Sequence, residues 1–349
     1  MKILMIGRGV ISTLYGWALE KAGNEIEFYV RPGKTAVYGP VVNLDILDGR
    51  EKSKGHRVIE QWPIKMRETF DENHTYDLII ISVNHYQLEE VAQSISPHTG
   101  NATILIFNNI WLDAKTIEHY FPSKTVLWGF PGGGGGYHDL NTLKGGFMKR
   151  IFLESEVTAA SKKRHQQVVK LFKDAGFSVS QQKNMHHWLW GHFILNAAMA
   201  AEAIKVGGYL KAFQSRDSVT EMILLMREMI PLIKARKGNL DMITMFLVRM
   251  PIKLSAFLLQ KSATSGTLTG EIMRRMEGSG HATTEMAFQY LQDIMKDSRK
   301  YDVKLPHLEA LKPYFCESVI NFMFFEQTIS FLARIKIKAK EEIFYECYS

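Results

Sequence analysis

Cysteine is scarce in this chain: Cys316 and Cys347 are the only two among 349 residues. They are far apart and lack partners at the spacing of metal ligands, so neither a disulfide framework nor a zinc site is indicated. We therefore expect both thiols to be reduced and no metal to be bound.

Long uncharged apolar runs are also missing, although a membrane-spanning helix needs about twenty such residues. The stretch that comes nearest, residues 242–259, contains Arg249, Pro251 and Lys253. We interpret it as a pair of packed amphipathic helices. A predicted strand begins at Lys2 and leaves no room for a signal peptide. The sequence therefore predicts a cytoplasmic protein with no membrane partner.

The positive charge of the chain is mild and scattered. The formal net charge is +7, without a lysine-rich block or interleaved aromatic residues. Nucleic-acid binding normally needs a concentrated basic patch, so we expect no nucleic-acid partner. An anionic cofactor and an anionic substrate would account for part of the excess.

The beginning of the chain has the pattern of a dinucleotide site. An apolar run that predicts a buried strand breaks into paired glycines and then into a helical pattern. Glycine lets the backbone approach a pyrophosphate, and the helix directs its N-terminal amides at the phosphates. Ser12 replaces the third glycine of the usual motif, and its small side chain is tolerable there. The residues assigned to the cofactor are Gly7, Arg8, Gly9, Val10 and Ile11.

The next predicted strand indicates which nucleotide is bound. Its end carries Arg31, with Lys34 behind it, and no acid. NAD sites usually place Asp or Glu here to bind the ribose 2′-hydroxyl, whereas a guanidinium matches the 2′-phosphate of NADP. Arg31 therefore favours NADP(H). A solvated basic turn is the alternative interpretation.

Strand and helix patterns alternate through the first half of the chain, and only helical periodicity follows. A chain of this length exceeds the size that one core usually supports, so two domains are expected. We predict an NADP-binding Rossmann-type α/β domain over residues 1–182 and an all-α domain over residues 183–335. Residues 336–349 form a tail with both basic and acidic residues.

An NADP-type Rossmann half followed by a helical half resembles the ketopantoate reductase (2-dehydropantoate 2-reductase) family. The matching motifs in order are the glycine loop, Arg31, Ile81-Ser82-Val83-Asn84, Phe107-Asn108-Asn109, the helix from Trp190 to Asn196, and Thr284-Glu285. The resemblance implies a helical domain like the C-terminal domain of 6-phosphogluconate dehydrogenase. It also implies NADPH-dependent reduction of a 2-oxo acid to a 2-hydroxy acid, as in pantothenate biosynthesis.

Two predicted strand ends carry residues that the resemblance places near the cofactor. Asn108 matches a family asparagine close to the nicotinamide and substrate, although it could instead cap the next helix. Asn84 stands where the family has a lysine, and an amide donates hydrogen bonds without a charge. His85, next to it, either substitutes in part for that lysine or begins a helix at the surface.

The helix around residue 192 matches the catalytic helix of the family. His192 and Asn196 are four residues apart and share one helix face; the family has Lys and Asn at these positions. A cation or proton donor beside the keto oxygen stabilises the charge that hydride transfer builds there. Histidine can do this with a pKa nearer neutrality. The alternatives for His192 are a lapsed site or a partly buried helix histidine.

The resemblance also assigns residues to the substrate. Glu285 matches a glutamate that binds the substrate hydroxyl, although an acid at a helix start is a routine partner of the helix dipole. One hydroxyl among Ser262, Thr264, Ser265, Thr267 and Ser279 is expected to bind the substrate carboxylate. The glycine run at residues 132–136 is predicted to be a mobile loop, either a lid or a simple turn.

The sequence as a whole predicts an NADPH-dependent 2-oxo acid reductase in which His192, Asn196 and Glu285 are catalytic. Its partners would be the small-molecule substrate and, as an open alternative, a second copy in a homodimer. Two other functions remain: an NADP(H)-binding sensor that has lost catalysis, and an opine-type or β-hydroxyacid dehydrogenase.

Overall fold

The structure is a computed structural model that describes residues 1–70, 73–122, 124–264, 266–277, 279 and 285–315. The strands are β1 Lys2–Ile6, β2 Glu25–Tyr29, β3 Val41–Gly49, β4 His56–Pro63, β5 Met66–Arg67, β6 Leu78–Ile81, β7 Thr103–Phe107, β8 Val126–Phe130, β9 Gly133–Tyr137, β10 Thr142–Met148, β11 Arg150–Glu154 and β12 Ser178–Gln182. The helices are α1 Val10–Lys21, α2 Lys34–Tyr38, α3 Leu88–Ile95, α4 Ala114–Glu118, α5 Lys162–Asp174, α6 Met185–Val206, α7 Tyr209–Gln214, α8 Arg216–Ala235, α9 Met242–Arg249, α10 Ile252–Ser262, α11 Leu268–Glu277, α12 Glu285–Lys300 and α13 Pro306–Leu311.

Eight strands form the larger sheet, in the order β12-β11-β8-β7-β6-β1-β2-β5. Every pair is parallel except β8 with β11. Strands β1, β6 and β7 are continuous aliphatic runs with almost no exposure, because helices cover both faces. Their carboxyl ends meet at one edge, which is where open α/β sheets bind ligands.

A second sheet of four strands, in the order β4-β3-β10-β9, packs beside α1. The prediction that the glycine run is a mobile loop is wrong. Residues 133–136 of the run lie in β9, which pairs antiparallel with β10. A Cβ at Gly135 would lie 2.5 Å from the carbonyl oxygen of Lys144, and one at Gly134 would lie 3.1 Å from Met276 Sδ of α11. The glycines therefore allow close approach of a neighbouring strand and of a helix.

Consecutive elements after the second sheet return to the larger one. The chain leaves β10 at Met148 and enters β11 at Arg150, because β10 belongs to the second sheet and β11 to the larger one. Helix α5 then starts at Lys162. The helix pair predicted over residues 242–259 is present as α9 and α10, which divide at Pro251 because proline lacks an N–H and restricts the residue before it.

The described elements from Met185 onward are helical, as predicted. The long helix α6 packs against α8 and α12, with Phe193, Met226 and Leu291 in the shared core. The fold class predicted from the sequence, a Rossmann-type part followed by a helical part, is confirmed. The boundary at 182/183 stays a prediction. Both cysteines, residues 316–335 of the predicted all-α domain and the tail at 336–349 lie outside the described residues.

Across the described ranges, no helix has both the length and the apolar character needed to cross a bilayer. Those ranges also hold no group of three His, Cys, Asp or Glu side chains placed to bind a metal ion.

Candidate active site

The glycine loop after β1 has the geometry of a phosphate cradle. Gly7 has a φ of 78°, a left-handed conformation that favours glycine, and its N–H donates to the Tyr29 carbonyl at 2.8 Å. A Cβ added to Gly9 would meet no atom within 4 Å among the described residues beyond its chain neighbours. This open space lies at the start of α1, whose first two residues are Val10 and Ile11. The loop therefore fits a pyrophosphate.

The side chain of Arg8 points away from this space and is buried. It donates to the Leu140 carbonyl at 2.9 Å and to Asn141 Oδ1 at 3.0 Å, and it packs on the rings of Tyr38 and Tyr137. The guanidinium holds the turn between β9 and β10. Two of the three guanidinium nitrogens of Arg8 are therefore engaged by this turn.

Ser12, the departure from the glycine motif, is fully buried and joins two strand ends. Its hydroxyl lies 3.3 Å from the Ile6 carbonyl and 2.7 Å from Ser82 Oγ. Close packing of α1 on β2 depends instead on Gly16, where a Cβ would lie 2.9 Å from Phe28 Cζ. The serine thus stabilises the loop with hydrogen bonds.

The turn after β2 contains an acid that the sequence analysis missed. Arg31 is exposed there. Glu68, which follows β5, accepts hydrogen bonds from the N–H of Gly33 at 2.9 Å and of Thr35 at 2.7 Å. The hydrogen bond from the Thr35 hydroxyl, together with these two bonds, lowers the pKa of Glu68. Because Glu68 is distant in sequence, only the pairing of β5 with β2 reveals it.

Asn108 and Asn84 lie at the ends of neighbouring strands, as predicted. Asn108 Nδ2 donates to the Val83 carbonyl at 2.6 Å, which ties the end of β7 to the end of β6. Asn84 Nδ2 donates to the Tyr86 hydroxyl at 3.0 Å. Both side chains are half-buried at the edge where the sheet would receive a cofactor.

Tyr86 connects this edge to the helical part of the chain. Its hydroxyl lies near the carboxylate of Glu285, at the start of α12. Burial and the Glu285 charge raise the pKa of Tyr86 to about 12, so the phenol keeps its proton at neutral pH. Two predicted site residues, Asn84 and Glu285, are therefore brought together through a residue that was missed. Its position two residues after Asn84 was the available signal.

His192 has aromatic neighbours. Its ring lies parallel to Trp188, with centroids 5.2 Å apart, and edge-on to Phe130 at 4.3 Å. Burial lowers the pKa of His192 to about 4, although the charge of Asp241 opposes this. In the described part of the chain no group hydrogen-bonds the ring nitrogens. At neutral pH the imidazole is therefore uncharged, unlike the lysine of the family.

Asn196, one turn beyond His192 on α6, contacts α12. Its Nδ2 donates to the Tyr290 hydroxyl at 3.3 Å. The buried amide of Asn109 lies close enough to lower the pKa of the same hydroxyl, against the larger rise that burial causes. Neither the amide nitrogen nor the amide oxygen of Asn109 has a partner at hydrogen-bond geometry among the described residues. A buried amide of this kind is ready to bind a polar ligand.

His85 is buried, so the alternative that placed it at the surface is wrong. Its ring stacks on Tyr290 with centroids 4.7 Å apart, and its Nε2 lies 3.1 Å from Asp293 Oδ2. This contact is a second link between the end of β6 and α12.

The candidate hydroxyls for the substrate carboxylate are mostly engaged locally. The hydroxyls of Ser262, Thr264, Thr267 and Ser279 each donate to the carbonyl three residues earlier, at 2.7 to 3.2 Å. Ser279 also packs against β9, where a Cβ at Gly136 would lie 2.0 Å from its Oγ. Ser265 lies outside the described residues.

Comparison with protein families identifies the first part of the chain. Residues 3–134 match the family model described as "Ketopantoate reductase PanE/ApbA". The chain carries a ketopantoate reductase family domain. The matched segment contains the glycine loop, Arg31, Asn84 and Asn108, so the family predicted from these motifs is confirmed.

A curated relative of this ketopantoate reductase domain is 2-dehydropantoate 2-reductase of Vibrio cholerae serotype O1. It is 29% identical over 108 residues, which is 31% of this chain. The match spans 31% of the length of that relative, less than a third.

Two solved structures share the fold over nearly their whole length. A ternary complex of D-mandelate dehydrogenase with NADH and anilino(oxo)acetate has a TM-score of 0.70 at 16% identity, covering 93% of this chain and 99% of that one. A PanE/ApbA family ketopantoate reductase from Ralstonia eutropha JMP134 has a TM-score of 0.68 at 18% identity, covering 94% of this chain and all of that one. The ketopantoate reductase domain here is thus followed by the same arrangement of helices.

Proposed function

We propose that the chain is an NADP(H)-dependent reductase of a 2-oxo acid, similar to 2-dehydropantoate 2-reductase. The observation that carries the proposal is that the end of β6 meets α12: His85 Nε2 lies 3.1 Å from Asp293 Oδ2, and Tyr86, next to it, lies near Glu285. This junction joins the sheet edge of a dinucleotide-binding fold to the helix that carries the predicted substrate ligand. A cofactor and a substrate bound to these two parts would meet at one place.

The cofactor would be held by the glycine loop and by the turn after β2. The open space at Gly9 accepts the pyrophosphate, and the exposed Arg31 is available for a 2′-phosphate. Glu68 in the same turn opposes this preference, because a carboxylate repels a phosphate and accepts from a ribose hydroxyl. Calorimetry with NADPH and NADH tests the proposal: tighter binding of NADH, or equal binding, contradicts the role of Arg31.

When bound, the cofactor supplies hydride to the keto carbon. His192 would donate the proton that the product oxygen needs, while Asn196 and Glu285 orient the substrate. Burial keeps the free imidazole neutral, but an anionic substrate beside it favours the protonated form. Proton uptake by His192 is therefore coupled to substrate binding. The proposed product is the 2-hydroxy acid.

The low pKa of His192 also favours a second candidate, an NADP(H)-binding sensor without catalysis. The two functions separate in one assay, in which loss of the NADPH absorbance is followed with a panel of aliphatic and aromatic 2-oxo acids. Oxidation of NADPH with any member supports the reductase. Tight binding of NADPH without oxidation across the panel supports the sensor.

A further inference from the structure

Large apolar side chains on α9 and α10 are exposed to solvent. Met242 and Phe246 of α9 are 87% and 67% exposed. Leu254, Phe257 and Leu258 of α10 are 45%, 49% and 42% exposed. The helix pair expected from the sequence is present, but its outer face is apolar. Contiguous exposed apolar surface of this kind marks an interaction site.

These residues form one outward-facing surface. On each helix they recur at the spacing of a single face. The opposite faces pack on α8 through Val248 and Ala256, which are 3% and 1% exposed. Because both helices bury their inner side against the same helix, their apolar stripes face away from it. We call this the α9–α10 surface.

Hydrogen bonds from the core hold the two helices in place. Arg227 of α8 donates to the carbonyls of Val248 at 2.7 Å and Met250 at 2.6 Å, where α9 ends. The Ser255 hydroxyl donates to the Leu247 carbonyl at 2.6 Å and joins α10 to α9. The exposed surface is therefore preformed.

The charges on this surface have one sign. Arg249, Lys253 and Lys261 are exposed on the same two helices, and the sequence contains no Asp or Glu over residues 242–270. A second copy of the chain related by a two-fold axis would place this cationic patch against an identical cationic patch. The charges thus disfavour a self-pairing interface and favour an anionic partner.

We propose that the α9–α10 surface docks on an anionic membrane surface. Apolar side chains of an amphipathic helix enter the boundary between headgroups and acyl chains, while adjacent Lys and Arg pair with anionic lipid headgroups. Such helices lie in the plane of the membrane, so the proposal needs no spanning helix. It differs from the expectation of no membrane partner and does not depend on the reductase activity.

Flotation of the full chain with lipid vesicles tests the proposal. Vesicles of phosphatidylcholine alone are compared with vesicles that also contain phosphatidylserine, at low and high salt. We expect the chain to float with the anionic vesicles, and the bound fraction to fall as salt screens the charges. Failure to float with anionic vesicles at low salt overturns the proposal.

Three variants test whether vesicle binding depends on the α9–α10 surface or on nonspecific adsorption of the chain. Phe246→Asp with Phe257→Asp should lower the bound fraction about tenfold, whereas Lys253→Glu with Lys261→Glu should remove the preference for phosphatidylserine. The matched control is Ile59→Asp, because Ile59 is 71% exposed on β4, a strand of the second sheet. It should bind like the unaltered chain.

Circular dichroism and NADPH affinity show whether each variant is folded, and size-exclusion chromatography shows its oligomeric state. Vesicle binding that all variants retain contradicts the proposal. A dimer that Phe246→Asp with Phe257→Asp converts to monomers, without vesicle binding by the unaltered chain, assigns the surface to a second copy instead.

Discussion

Arg236 and Asp297 form a buried ion pair between the end of α8 and α12. The guanidinium lies between the rings of Trp111 and Trp190, 4.3 Å from each centroid, and also donates to the Trp111 carbonyl. Trp111 Nε1 donates to the same carboxylate at 2.8 Å. One cation thus joins the loop after Asn108-Asn109 to the helices that carry His192 and Glu285.

Arg236→Ala should lower the free energy of unfolding by about 3–5 kcal/mol, because it leaves Asp297 buried without its cation. Chemical denaturation measures the change. The control is Arg57→Ala, which removes an exposed guanidinium from Asp45 and should change the free energy of unfolding little. Equal losses for the two variants would contradict the structural role of the buried pair.

Gly9→Ala should weaken NADPH binding about tenfold and leave stability nearly unchanged, because the new Cβ enters space reserved for the cofactor. Gly135→Ala should lower stability and leave NADPH binding nearly unchanged, since its Cβ would collide with the backbone of β10. Calorimetry and thermal unfolding of both variants check the pair. Normal NADPH binding by the Gly9→Ala variant would show that the glycine loop is not part of the cofactor site.

Glu154→Gln should stabilise the chain at alkaline pH. Burial raises the pKa of Glu154 to about 7, although it accepts the Trp128 N–H at 2.9 Å. A carboxyl whose pKa is higher in the folded chain than in the unfolded chain stabilises the folded state at acid pH. This stabilisation is lost as pH rises through 7. Glutamine keeps the acceptor without the charge, so the variant should gain about 1–3 kcal/mol at pH about 8 and little at pH about 5.

Denaturation of Glu154→Gln at both pH values measures this difference. Glu156→Gln is the control, because the Glu156 side chain is 63% exposed. A gain that is the same at both pH values would contradict the account.

The sequence predicted the parts of the fold that depend on local pattern. The buried strands β1, β6 and β7 and the helix α6 are where periodicity and aliphatic runs place them. The glycines of β9 were misinterpreted as a loop, because their role is close approach by β10 and α11, which are distant in sequence. Local propensity carries no information on such contacts.

The same limit applies to the candidate site. The motifs located Gly7, Gly9 and Asn108 at strand ends, but they could not show that Arg8 turns toward Asn141 or that Glu68 enters the Arg31 turn. Tyr86 and Tyr290 were missed because the residues that act on them, Glu285 and Asn196, are distant in sequence. The environment of His192, which sets its pKa, also comes from tertiary packing.

The pH dependence of reduction should follow His192. In the free enzyme its pKa is about 4, and kcat/KM reports the protonation of the free enzyme. If the protonated ring is required, kcat/KM for the 2-oxo acid should fall about tenfold per pH unit between pH about 5 and about 8. A profile that is flat over this range would show that proton delivery does not depend on His192.

The role of His192 in turnover is the central claim, and His192→Ala with calorimetry on the same preparation tests it most directly. The substitution removes the proposed proton donor from α6 and leaves the glycine loop and Arg31 unchanged. We predict that NADPH binds as tightly as before and that reduction of the best 2-oxo acid is abolished. Unchanged turnover in this variant would contradict the proposed catalytic role.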